Sequence, residues 1–127
     1  MPITYIDTSA FLKLLVQEPN SDDVRAAVAA VELWSSTLLG VEAHRASLRL
    51  GIKAEEVDNA LAAVTLVVPS ETTFMTARSV GTAELRTLDA LHLAAALELG
   101  DDLGSLLTFV AHLAVMSPGL DPRWWNV

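Results

Sequence analysis

Short apolar, β-rich runs alternate with helical stretches along this chain. A strand that passes through a helix to reach another strand builds a mostly parallel sheet with helices on both faces. The first run, Pro2 to Ile6, ends abruptly at Asp7-Thr8-Ser9, a strand end followed by a helix start. The apolar helical stretch that follows carries Phe11, Leu12, Leu14, Leu15 and Val16 and stops at Glu18-Pro19, because the residue before a proline is pushed out of the helical region. Asn20 or Ser21 caps a second helix with Val24, Ala27, Val28 and Val31 on one side. Residues 33–36 read as a second strand, 37–50 as a helix ended by Gly51, 53–63 as another helix, and 65–68 as a third strand before Pro69. Ser70 caps a short helix. After the turn at Gly81, Thr87 caps an almost wholly apolar helix over 88–99, which must be buried on most of its surface. Residues 106–108 give a fourth strand, and Val115-Met116 a weak fifth. The sequence therefore predicts an α/β fold with a four- or five-stranded sheet, and ligands of such sheets gather at the carboxyl ends of the strands.

At 127 residues the chain is long enough for one core and too short for two, so residues 1–127 are read as a single domain with an irregular tail from about residue 117. Hydrophobic residues are 52% and aromatics 6%, so the interior is built mainly of Ala, Leu and Val. No apolar run reaches the roughly 18 residues of a membrane helix, and no basic segment followed by an apolar one opens the chain, which points to the cytoplasm. With no cysteine, the available chemistry is that of carboxylates, hydroxyls and three histidines. A net charge of −8 argues against binding a polyanion by lysine and arginine alone. Bound divalent cations can supply the missing positive charge, and the same acidity attracts a basic partner segment.

Three acids stand where folding alone gives weak reasons for them: Asp7 after the first strand, Glu42 inside the third helix and Asp89 at the start of the apolar helix. Each has an ordinary role available. Asp7 can cap the first helix, Asp89 can favour a helix dipole, and Glu42 can pair with Arg45 or Arg49 on its own helical face. Together they suit a hard metal ion, since Mg²⁺ or Mn²⁺ is commonly held by a few carboxylates plus waters and substrate phosphate. Two carboxylates about 5 Å apart in a medium of effective dielectric about 20 repel by about 3 kcal/mol, so a converging cluster needs a cation, a proton or a basic partner.

The stretches Tyr5-Ile6-Asp7-Thr8-Ser9-Ala10, Val41-Glu42-Ala43-His44-Arg45 and Arg86-Thr87-Leu88-Asp89-Ala90-Leu91-His92 resemble, in order, the three main acidic motifs of VapC-like PIN-domain ribonucleases. The resemblance runs from residue 3 to about 113. It implies a three-layer PIN-like fold and a toxin-like endoribonuclease that depends on Mg²⁺ or Mn²⁺, forms a homodimer and is neutralised by a small cognate antitoxin. It makes Asp7, Glu42 and Asp89 the catalytic acids, with Asp7 and Asp89 as metal ligands. The family offers a further acid just after the fourth strand, where this chain reads Thr108-Phe109-Val110, and the last helix is shortened after His112. A competing reading is therefore a catalytically weakened PIN module that acts mainly by binding its partner.

Around those acids, Thr8 and Ser9 can hydrogen-bond a carboxylate or phosphate, and Thr108 can touch a metal-bound water. Arg45, Arg49 and Arg86 are phosphate contacts, because a guanidinium grips phosphate oxygens in pairs. His92 lies one turn after Asp89, but its neighbours Leu91, Leu93 and Ala96 mark it as a core histidine. Asp121 is a remote substitute for the missing acid, and Trp124-Trp125 suits an apolar cover or subunit contact better than base stacking. A phosphatase with Asp7 as covalent nucleophile expects a second acid where Ser9 stands. A dinucleotide site is disfavoured because no glycine-rich fingerprint follows the first strand.

Overall fold

Tyr5 and Ile6 are adjacent in sequence and face opposite ways, as do Leu106 and Leu107, and this alternation builds the interior on two sides of one sheet. In the computed structural model, which describes residues 2–110, the elements are β1 (Ile3–Ile6), α1 (Thr8–Leu15), α2 (Ser21–Val28), β2 (Glu32–Ser36), α3 (Leu38–Leu50), α4 (Ala54–Leu61), β3 (Thr65–Val67), α5 (Glu71–Ala77), α6 (Thr87–Leu97) and β4 (Leu103–Leu107). The strand order is β3-β2-β1-β4, and every pairing is parallel. On one face Ile6, Leu33 and Leu107 pack with Phe11, Val24, Leu39, Ala43 and Val57 from α1 to α4. On the other, Tyr5 and Leu106 pack with Leu93 and Ala96 of α6. The expected α/β fold, a mostly parallel sheet between helical layers, is what forms.

The chain leaves β1 toward β2 on one side and returns to pair β4 on the other, so the carboxyl ends of β1 and β4 meet where the winding reverses. A crevice opens at such a reversal. Asp7 and Thr108 are the residues that immediately follow these two strands.

Several local expectations need correcting. Asn20 precedes α2 with a left-handed backbone (φ 74°) and makes no side-chain cap; Ser21 instead donates to the Val16 carbonyl and accepts from the Glu18 amide, closing the turn. Thr87 is the first residue of α6 rather than its cap, because Arg86 holds the extended capping position, again without a side-chain bond. β4 starts earlier than 106: pairing with β1 draws in Leu103 and Gly104 despite their weak strand signal. The register jumps there, with Ile3 opposite Leu103 and Thr4 opposite Ser105. Gly104 is the extra residue, and a β-carbon on it would lie 2.6 Å from that of Pro2. The caps at Gly51 and Ser70 form as expected, the latter as a reciprocal box with Thr73. The fifth strand at Val115-Met116, His112, the tail from 117, Asp121 and Trp124-Trp125 lie outside the described residues.

Candidate active site

Asp7 is 1% exposed and caps α1, its Oδ1 accepting from the Ala10 amide at 3.1 Å and the Ser9 hydroxyl at 2.7 Å. Its other oxygen accepts from the Thr108 hydroxyl, which in turn accepts from the Val110 amide at 3.0 Å. Ser9 completes the link by accepting from the Phe109 amide at 2.9 Å. The start of α1 and the exit of β4 are thereby tied together through one carboxylate. Burial pushes the Asp7 carboxyl above the usual carboxylate range, against the pull of the hydrogen bonds from Thr108, Ser9 and Ala10 and of nearby His92.

Glu42 comes from the inner part of α3, its side chain 20% exposed. It pairs with neither Arg45 nor Arg49. Its Oε1 accepts from the Thr8 hydroxyl at 2.7 Å and lies 2.6 Å from Nε2 of His92. His92 is 1% exposed, as a core residue should be, and its Nδ1 lies 2.7 Å from the Tyr5 hydroxyl. The reading of His92 as a core residue holds for its burial, but it omitted these polar partners.

Asp89 stands half-buried in the first turn of α6. Burial raises its carboxyl, and the Glu42 carboxylate adds to the rise, while His92 and Arg86 act in the opposite sense. His92 touches Glu42 directly, and whenever its ring carries a second proton it also pulls electrostatically on Asp7 and Asp89. Arg86 is exposed at the head of α6. Arg45 and Arg49 line, with Thr8, Glu42, Val41 and Leu88, a groove of about 360 Å³ beside the acids.

The donor chemistry of Asp7, Glu42 and Asp89, all carboxylate oxygens with hydroxyls beside them, fits a divalent cation such as Mg²⁺ or Mn²⁺. Among the described residues, no three acid or histidine side chains form a ready-made group that could hold a metal ion. Most of the hydrogen-bonding capacity of Asp7 is met by protein donors. Val110, where the family resemblance expects an acid, packs instead against the apolar cluster of Tyr5, Leu93 and Leu106.

The PIN domain profile matches residues 4–109. Ribonuclease VapC46 of Mycobacterium tuberculosis is 40% identical over 111 residues, covering 86% of this chain and 85% of the relative. Ribonuclease VapC47 of the same species is 34% identical over 112 residues, covering 83% and 82%.

Proposed function

This chain belongs to the PIN-domain family, and from that premise we propose that it is the ribonuclease toxin of a toxin–antitoxin pair, hydrolysing RNA phosphodiesters with Mg²⁺ or Mn²⁺ as cofactor. Its similarity to two VapC ribonucleases over most of both chains supports the activity. The observation that carries the site is the grouping of Asp7, Glu42 and Asp89 about His92 at the carboxyl ends of β1 and β4.

In this reading Asp7 and Asp89 hold the cation, and Glu42 orients the attacking water through the oxygen that His92 and Thr8 leave open. When bound, the cation supplies positive charge against the developing phosphorane and acidifies water. Arg45 and Arg86 grip phosphate oxygens, Thr8 and Ser9 keep the carboxylates oriented, and Thr108 anchors Asp7. The water oxygen gives up a proton and bonds to phosphorus as the bond to the leaving ribose oxygen breaks, and that oxygen takes up a proton in turn.

The partners are a single-stranded RNA substrate, a second copy of this chain and a small antitoxin whose basic segment lies against the acids; the net charge of −8 favours the last. Among the described residues, no helix is long and apolar enough to cross a membrane, and action on RNA agrees with a cytoplasmic setting. A second reading, a module that works mainly by binding its antitoxin, is favoured by the apolar packing of Val110 where an acid was expected.

Single-turnover cleavage of a mixed RNA pool with Mg²⁺ or Mn²⁺ separates the two. Metal-dependent cutting that is lost in folded Asp7→Ala and Asp89→Ala proteins supports the nuclease. A folded wild type that cuts no more than these variants, even with Mn²⁺, puts the binding module first.

A further inference from the structure

A buried imidazole has to satisfy two nitrogens, one able to donate and one able to accept when the ring is neutral. His92 meets this with the Tyr5 hydroxyl at 2.7 Å from Nδ1 and Glu42 Oε1 at 2.6 Å from Nε2, the Thr8 hydroxyl lying farther off, at 3.3 Å from Nε2. Tyr5 is itself 1% exposed and crosses the ring edge-on, with centroids 5.8 Å apart. A tyrosine phenol holds its proton at neutral pH, and the only proton the hydroxyl carries lies within reach of Nδ1. The opposite tautomer would set the bare Nε2 lone pair against a carboxylate oxygen 2.6 Å away.

We propose that His92 is a positioning residue for the nuclease reaction: Tyr5 donates to Nδ1, the ring keeps its hydrogen on Nε2, and that N–H fixes one oxygen of Glu42 so that the other is presented to water. The reaction part rests on the nuclease reading above; the tautomer does not. The Thr8 hydroxyl reinforces the arrangement by donating to the same oxygen at 2.7 Å. Two donors on Oε1 restrict a side chain that otherwise rotates about three bonds, and Oε2 is left for the attacking water. The line from Tyr5 in β1 through His92 in α6 to Glu42 in α3 joins three elements that share no sequence neighbourhood.

The test pairs a spectrum with kinetics. Long-range ¹H–¹⁵N correlation on ¹⁵N-labelled wild type, with His92 assigned by its loss in His92→Gln, should show Nδ1 as the unprotonated acceptor and Nε2 as the protonated nitrogen. Tyr5→Phe should shift the ring toward a tautomer mixture. In single-turnover cleavage, His92→Leu should lower the rate at saturating RNA by about 10–100-fold with half-saturation little changed. His92→Gln, whose amide can reach the same oxygen, should recover most of the loss. Protonation on Nδ1 alone, or full-rate His92→Leu and Tyr5→Phe proteins, overturns the proposal. A folded wild type that cuts no RNA overturns the nuclease reading instead, and the spectrum still decides the tautomer. If His92→Leu fails to fold, Tyr5→Phe and the spectrum carry the decision.

Discussion

The Thr108 hydroxyl donates to Asp7 across the crevice where β1 and β4 part, joining residues 101 positions apart in sequence. The carboxylate it holds is buried, caps α1 and is one of the three proposed catalytic acids. Structure and chemistry therefore compete for the same side chain, and the first two predictions separate them.

Thr108→Val keeps the shape and removes the hydroxyl. It leaves one oxygen of Asp7 and the Val110 amide without their partner. An unsatisfied buried group costs about 1–3 kcal/mol, which for a domain of this size is roughly 4 °C in melting midpoint per kcal/mol. Urea titration at neutral pH should show the loss, and Thr108→Ser should restore most of it. A Thr108→Val protein as stable as wild type would show that Asp7 does not depend on this donor.

Asp7→Asn should do the reverse to stability while abolishing cleavage. The amide oxygen still accepts from Ser9 and Ala10, and the Thr108 hydroxyl can turn to accept from the amide nitrogen. Because burial raises the Asp7 carboxyl, the folded state binds its proton more readily than the unfolded chain, so the ionised group lowers stability once the pH exceeds the ordinary carboxylate range. Removing that charge should raise the melting midpoint at pH 7 in a chelating buffer. The gain should shrink as the pH falls toward about 4, where unfolded aspartates take up protons. Equal gains at pH 4 and pH 7 would mean that Asp7 is not the group concerned.

The sequence made the fold legible because strand and helix periods differ and their alternation leaves few arrangements. It made Asp7 legible because an acid at a strand-to-helix junction has few neighbours to consider. Glu42 was placed with its own helix, beside Arg45 or Arg49, since spacing along a helix is all that a local pattern reveals. Its true partners, Thr8 and His92, arrive from α1 and α6, the latter 50 residues away. His92 hid among apolar neighbours for the same reason: periodicity reports burial and is silent on which polar groups meet inside. The caps at Asn20 and Thr87 failed because the turn before α2 and the extended Arg86 fixed those ends by backbone conformation.

Gly104→Ala tests the far end of the same strand pair. Its methyl would meet Pro2 at 2.6 Å, so either Pro2 shifts or the bulge opposite Ile3 reorganises. Overpacking of this kind costs about 1–3 kcal/mol. The loss should show in urea titration with cleavage per folded molecule unchanged, since Asp7 and Thr108 lie at the opposite ends of β1 and β4. A Pro2→Gly background, which removes the obstructing side chain, should bring the cost of Gly104→Ala close to zero.

Divalent cations should stabilise the wild type if the acids hold one. A ligand that binds only the folded state at about 100 times its dissociation constant contributes about 2.7 kcal/mol. Mn²⁺ added to chelator-treated protein should therefore raise the melting midpoint by roughly 10 °C. Asp89→Asn should lose most of that rise, because it removes a charge from a half-buried acid while leaving the hydrogen bonds of Asp7 and Glu42 in place. Asp58→Asn is the control: Asp58 pairs with His44 on the surface, away from the acid group, and its loss should leave the Mn²⁺ response intact. A wild type whose midpoint is indifferent to Mn²⁺ would leave Glu42 and Asp89, which repel each other, without a bound cation, and the partner's basic segment would be the candidate source of positive charge.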